Sequence, residues 1–574
     1  MMKRTILATA LFFALCGPAR GEDFFPLDDV KRGMTGYALT VVEGTRIDTM
    51  TVEVIDVIRA RGNSGSSILV EVSGLGTDLS GIAGGMSGSP VYLEGRLAGA
   101  LAFTYSGARI AIGGVTPIGE MVEVLERRDK EVASRELHGR PASGSTGRPD
   151  RIATPIAISG FAGPVSDDID RFFADLGMVT TLGGAGGGDS HAKGWEMRPG
   201  AAVGVRLLSG DANLTAIGTV TWVDGERMVA FGHPLFQSGS AVFPLVSAEI
   251  HAVMPSRGLS FKIGSPIETV GAMTQDRRPA IAGQLGMTAP TIPIRVGVTV
   301  PGVREDRFSY QAIDHRALTS ALAAWATTNS IMHNEKSWGD GTARVKTRIA
   351  LHGTDRVLET DNVYTASTFI RSASADVALP IQVFANTSIE DVRVKSIDVE
   401  VEVRDGRDIV RIEEVLVEKG TYRPGEDVRG RVLVRRYQGG VTEHAFSLPV
   451  PADQPAGELI LRVCDATGSE DFDDKRAPNR TRVKTLDGLI SLLADRRGND
   501  RVYCTLYDRS IGATIEGRAF PNLPASVLSI YAEPRHADDA AYRTGRVIAA
   551  TDLPFSGVVS GCWSLPVNID PNAP

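Results

Sequence analysis

Ser87 stands in the stretch Gly81-Ile82-Ala83-Gly84-Gly85-Met86-Ser87-Gly88-Ser89-Pro90. Glycine lacks a Cβ, so a chain this rich in it can turn sharply and bring backbone N–H groups close to a ligand. A serine on such a turn exposes its hydroxyl while neighbouring amides converge on one spot. Acyl transfer requires that arrangement, because the tetrahedral oxyanion must meet donors already in place. A nucleophilic serine also needs a base. Nine histidines are present, most in polar or loop contexts, His315 among them. His233 differs, lying in Gly232-His233-Pro234 at the end of a hairpin strand. On spacing alone, a turn histidine without chemistry is an equal reading. No His-Glu-x-x-His or His-x-His pair occurs, so zinc chemistry is not expected, and no metal or other cofactor is called for.

The elements that must position these residues read as β-structure. Residues 36–42 and 47–58 form a strand pair around a turn at Glu43-Gly44, with Met50, Val52 and Val54 on one face. Ser66 to Val72 is another strand; Val91 to Leu93 and Leu97 to Tyr105 flank a turn at Glu94-Gly95. Thr116-Pro117 reads as a helix start, with an N-cap residue followed by proline at the first position. Residues 30–130 thus predict a small β-barrel closed by a helix. After a linker-like run at 140–150, Ser166-Asp167-Asp168 reads as the cap of a helix with an apolar stripe at Ile169, Phe172, Phe173 and Leu176. That stripe is read as core. Gly183 to Gly188 lacks phosphate-loop spacing and is read as a loop. Thr215 to Val223, the turn Asp224-Gly225, and Arg227 to Phe231 form the hairpin that delivers His233. Proline-punctuated strands and one helix, Arg316 to Ile331, follow 290. From 406, strands at short spacing suggest a β-sandwich, with a further helix at Leu486 to Asp495.

Length and composition bound the rest. A chain of 574 residues, 43% hydrophobic, supports several domains. The division expected is a signal peptide over 1–21, a serine-bearing half over 22–135, a linker over 136–152 and a histidine-bearing half over 153–290. Beyond these come a β-rich region over 291–405, a sandwich-like domain over 406–470 and an α+β region over 471–574. A net charge of −8 and a pI near 5.7 argue against general nucleic-acid binding. Lys3 and Arg4, the apolar run Ile6 to Leu15, and Ala19-Arg20-Gly21 read as a secretory signal. No later run is long enough for a membrane-spanning helix, so an exported protein (periplasmic, envelope-associated or secreted) is expected. Cys464, Cys504 and Cys562 then remain in the mature chain, allowing one disulfide and one free thiol, with the pair left open by the sequence.

Gly-x-Ser-Gly-x-Pro is similar to the nucleophile loop of chymotrypsin-like peptidases. With Met86 before the serine and Leu97-Ala98-Gly99-Ala100 after it, the stretch resembles more specifically the SpoIVB-type peptidases, the stage IV sporulation protein B group. Gly36 to Ile55 resembles the family's strand pair before that loop. Gly218 to Thr221 through Ala230 to His233 resembles its histidine region, and Pro266-Ile267-Glu268 with Gly283-Gln284-Leu285 the segment after it. The resemblance implies a chymotrypsin-like double β-barrel and a serine endopeptidase acting on a protein or peptide, itself included. Ser87 would be the nucleophile, His233 the base, and the N–H groups of Gly85 and Ser87 the oxyanion hole. Two departures accompany it. The family has its histidine half first, so this chain would be circularly permuted. No aspartate matches the family's acid; Asp78 and Glu71 are the nearest carboxylates. A catalytically inactive envelope scaffold or binding protein on the same fold is the competing expectation.

Overall fold

The computed structural model describes residues 24–573 apart from 60–64, 106, 128–148, 185–195, 335–338, 478–480, 482, 516–517, 521–523, 525, 528 and 530–539. The signal-peptide reading, most of the linker and Ala185 to Gly188 fall outside the described residues. The protein is mainly β, with barrel-like sheets.

Six antiparallel strands make a first closed ring: β1 (Thr35–Glu43), β2 (Arg46–Ile58), β3 (Ser67–Ser73), β4 (Pro90–Leu93), β5 (Arg96–Thr104) and β6 (Ile112–Pro117). Pairing runs β1-β2-β3-β6-β5-β4 and returns to β1, so no edge of the ring is left unpaired. Period-2 patterning explains its interior: Met50, Val52 and Val54 on β2 and Val70 and Val72 on β3 point into one buried cluster with Met86. The helix Ile118–Glu126 does not cap the ring's interior cluster; it packs Ile118, Met121 and Val124 with Leu97 and Ala100 of this ring and with Trp222 and Val229 from farther along the chain. It begins at Ile118 with Pro117 as N-cap, not at Thr116. The Thr116 hydroxyl is used elsewhere, donating to the Gly232 carbonyl (2.7 Å).

The chain crosses to the second half through β7 (Asp150–Arg151), β8 (Pro155–Ser159) and β9 (Val179–Leu182). Between the last two, the helix Gly163–Asp175 starts three residues ahead of the expected Ser166 cap, with proline in its first turn. A second antiparallel ring follows: β10 (Ala202–Gly210), β11 (Asn213–Asp224), β12 (Arg227–Ala230), β13 (Gly239–Met254), β14 (Phe261–Arg277) and β15 (Ala280–Leu285). Its pairing runs β10-β11-β12-β15-β14-β13 and back to β10. The two rings share buried clusters: Leu97, Ala100 and Met121 pack on Trp222, Val229 and Ala282, and Val41 packs on Ile217 and Ile250.

Beyond residue 290, strands Thr291–Val300, Arg304–Ile313, Gly341–Leu351, Val357–Ala366 and Val394–Asp405 extend the same sheet outward from β10. Two helices cover them, Thr319–Asn334 and Phe369–Asn386; the second was not anticipated, being interrupted in sequence by Pro380. Residues 406–573 form sheets of four and six strands around one core joining Val410, Val434, Val502 and Ile569. Strand Val558–Ser560 returns to pair with Ile409–Val417, so the segments before and after residue 470 share that core. Cys464 and Cys562 face each other across paired strands and form the disulfide, leaving Cys504 buried.

Candidate active site

The serine loop is built as a tight turn. Met86 N–H donates to the Ala83 carbonyl (3.0 Å), and Gly85 sits at φ +86°, a value that favours glycine at this turn position. Gly88, at φ +92°, is more constrained still: a Cβ there would lie 2.0 Å from the Thr219 carbonyl oxygen and 2.5 Å from the Phe231 nitrogen. Only a residue without a side chain lets the loop lie this close to β11 and the chain before His233. Strand β11 then fastens it. Thr219 N–H donates to the Ser87 carbonyl (2.9 Å), the Thr219 hydroxyl to the Gly85 carbonyl (2.9 Å), and the Thr221 hydroxyl to the Gly88 carbonyl (2.8 Å).

His233 arrives by a sharper bend. Phe231 is buried at φ +71°, and Gly232 N–H donates back to the Ala230 carbonyl, a three-residue turn that stores strain. The serine loop and this bend rest on one carbonyl: Gly88 N–H donates to Leu101 O (2.8 Å), and a Cβ on Gly232 would lie 3.0 Å from that same oxygen. The structure therefore brings the Ser87 and His233 segments together from opposite rings.

The His233 ring is buried, and its Nδ1 lies 2.8 Å from the Pro234 carbonyl oxygen. A carbonyl only accepts, so Nδ1 carries the proton and Nε2 keeps its lone pair. Among the described residues Nε2 has no hydrogen-bond partner, and neither has the Ser87 hydroxyl, which is fully buried, so the two are not hydrogen-bonded to each other. Burial, with the positive charge of Arg151 adding to it, lowers the His233 pKa to about 4. The imidazole is therefore neutral at pH 7, the form a general base requires.

Several expectations are corrected. The Gly85 N–H, expected to face an oxyanion, is already taken by the Ala153 carbonyl (3.1 Å), whereas the Ser87 N–H makes no hydrogen bond among the described residues. Asp78 is exposed on a one-turn helix and Glu71 faces Glu53 across β2 and β3; neither bonds His233. His315 is not a loop residue in solvent. It is buried, and its Nε2 lies 3.0 Å from the Ser238 hydroxyl.

Sequence reasoning missed the groups that support the site. Asp276, buried on β14, accepts from the N–H groups of Leu235 (2.8 Å), Phe236 (2.7 Å) and Ser238 (3.1 Å), pinning the loop that leaves His233. Burial raises its pKa, against those three donors and Arg151. Lys262, also on β14, is wholly buried beside the serine loop. Thr219 and Thr221 lie in the stretch that resembles the histidine region but were given no role there; Lys262 and Asp276 carry no motif, and the available signal was a charged residue falling on the inward phase of an apolar strand.

Comparison with curated proteins and with solved structures gives no match. Among the described residues, no helix is long and apolar enough to cross a membrane. Residues 26–109, the first ring through its serine loop and β5, match the family model described as SpoIVB peptidase S55, which supports the SpoIVB-type peptidase family.

Proposed function

We propose that the chain is an exported serine endopeptidase, with Ser87 as nucleophile and His233 as base, built on a circularly permuted chymotrypsin-like pair of barrels. One observation carries this reading. Loops from two separate rings meet at the Leu101 carbonyl, one carrying Ser87 on its turn and the other leading to His233. In the proposed step, Ser87 Oγ attacks a peptide carbonyl carbon and its proton passes to His233 Nε2. The imidazolium then gives that proton to the leaving amine, and water repeats the sequence on the acyl-enzyme. The Pro234 carbonyl, in place of a carboxylate, orients the ring. The Ser87 N–H is the available oxyanion donor, and the Gly85 N–H joins it once Ala153 withdraws.

Ala153 supports the autoprocessing part of the reading. Its carbonyl occupies the N–H that a substrate carbonyl would use, so the chain lays its own peptide against the site. Cleavage after Ala153, detected by mass spectrometry of the intact protein and absent in Ser87→Ala, is the expected outcome.

The complete burial of Ser87 favours a second reading, an inactive envelope scaffold on the same fold. A fluorophosphonate probe separates the two. Labelling at Ser87 that disappears in His233→Ala supports the peptidase, and no labelling across pH 5–9 supports the scaffold.

A further inference from the structure

Lys262 is buried at 0% exposure in β14 and, among the described residues, makes no ion pair. An ammonium withdrawn from water without a counter-ion is a costly arrangement that a methionine of similar length would avoid. Burial alone lowers its pKa to about 7. What the lysine supplies in return is a set of donors at the seam between the rings. Its Nζ donates to the Thr40 hydroxyl of β1 (2.8 Å) and lies 3.5 Å from the Thr219 hydroxyl of β11. That hydroxyl, its lone pair turned to Nζ, donates its own hydrogen to the Gly85 carbonyl. The Lys262 backbone N–H holds the Gly84 carbonyl (2.9 Å), and its Cβ and Cδ fill the space beside Gly85.

We infer that Lys262 is a positioning residue for the nucleophile loop, acting through Thr219 to fix the Gly85–Met86 peptide, which lies between the Gly85 and Ser87 N–H groups and so sets the direction of these donors. The inference rests on the peptidase reading for its catalytic consequence, but the positioning itself is a property of the loop. Glycine at φ +86° has many alternatives open to it, and the relay from Nζ through Oγ1 to the carbonyl removes them. A lysine kept at an electrostatic cost beside a strained loop is the pattern expected where function opposes stability.

The test uses the full chain as wild type, Lys262→Met, Thr219→Val, Thr219→Ser and the Lys262→Met/Thr219→Val double variant. Three quantities are measured: melting temperature, the saturation kinetics of fluorophosphonate labelling at Ser87, and hydrogen exchange over residues 83–90. Lys262→Met is expected to melt no lower than wild type. It should nonetheless label about 10–100-fold more slowly at saturation, with unchanged half-saturation and faster exchange over 83–90. Thr219→Ser, which keeps the hydroxyl, should behave as wild type, and the double variant should lose no more than the worse single variant. Wild-type labelling and exchange in Lys262→Met overturns the inference. Fully additive losses, or a loss of labelling matched by a lowered melting temperature, overturn it as well. A wild type that never labels refutes the peptidase reading instead. Exchange over 83–90 then decides the role of Lys262 alone: faster exchange supports it and unchanged exchange overturns it.

Discussion

A serine hydroxyl attacks only when something can take its proton, and His233 is held in the form able to do so. Its pKa of about 4 against an ordinary 6.5 also fixes a pH window. Between those values the unfolded chain binds a proton at this ring and the folded chain does not. Stability is therefore intact above about 6.5, falls as the pH drops, and has lost this contribution by about 4. His315, lowered to about 4 by burial, titrates over the same window, so denaturant midpoints should drop steeply there. His233→Gln and His315→Gln should each flatten that dependence. Ser87 labelling should hold its rate down to about pH 5, where an ordinary histidine would already be protonated. Ser87→Ala should reduce turnover by about 10⁴–10⁶ with the fold preserved. At this scale the sequence singled out Ser87 by its glycine turn, whereas for His233 the spacing alone left a turn histidine without chemistry equally open and the resemblance raised it. The Gly85 N–H, expected as an oxyanion donor, is bonded to the Ala153 carbonyl, which comes from a segment whose path no local pattern encodes.

Elements decide how well those atoms are held. Asp276 on β14 ties three loop amides, and removing it strands buried donors. Asp276→Ala should cost about 3 kcal/mol or more in unfolding free energy, measured in denaturant, and slow Ser87 labelling with it. Gly88→Ala is a sharper case, since the added methyl meets backbone atoms of β11 and of the Phe231 bend. A loss of about 3–5 kcal/mol, or failure to fold, is expected by the same measurement. Strands β1 to β5 were read within one or two residues because their apolar residues alternate and their turns carry glycine. The helix Phe369–Asn386 was not, because Pro380 argued against it while burial of Ile370, Val377, Ile381 and Phe384 over the sheet outweighed the lost hydrogen bond. Asp276 and Lys262 escaped notice for a related reason: a charge on an inward strand position acquires its meaning from partners that are distant along the chain.

At the scale of the molecule, two six-stranded rings meet along a seam of small and apolar residues, and the long sheet beyond residue 290 braces the second ring at β10. The C-terminal unit carries the Cys464–Cys562 bridge, which ties its middle to its last strand, and its helix Leu486–Ala494 packs Leu489, Ile490 and Leu493 into the core of the preceding sheet. Reduction should lower the melting temperature of that unit, seen as an earlier calorimetric transition, while labelling at Ser87 is unchanged. Cys504 should stay unreactive towards thiol reagents in the folded protein, its pKa raised to about 12 by burial. The first ring was legible as a small barrel from its alternating strands; the pairings of β4 with β1 and of β13 with β10 join edges distant along the chain, which no local pattern encodes.

The order of the halves also governs when the serine loop takes its final shape. Every strand that shapes its loop from outside the first ring, through Thr219, Thr221, Ser260 and Lys262, is synthesised after it. In synthesis Ser87 emerges first and waits on the order of ten seconds for the residues that complete its turn. During that interval it stands on a loose glycine loop. The order of the segments alone thus delays completion of the turn around Ser87.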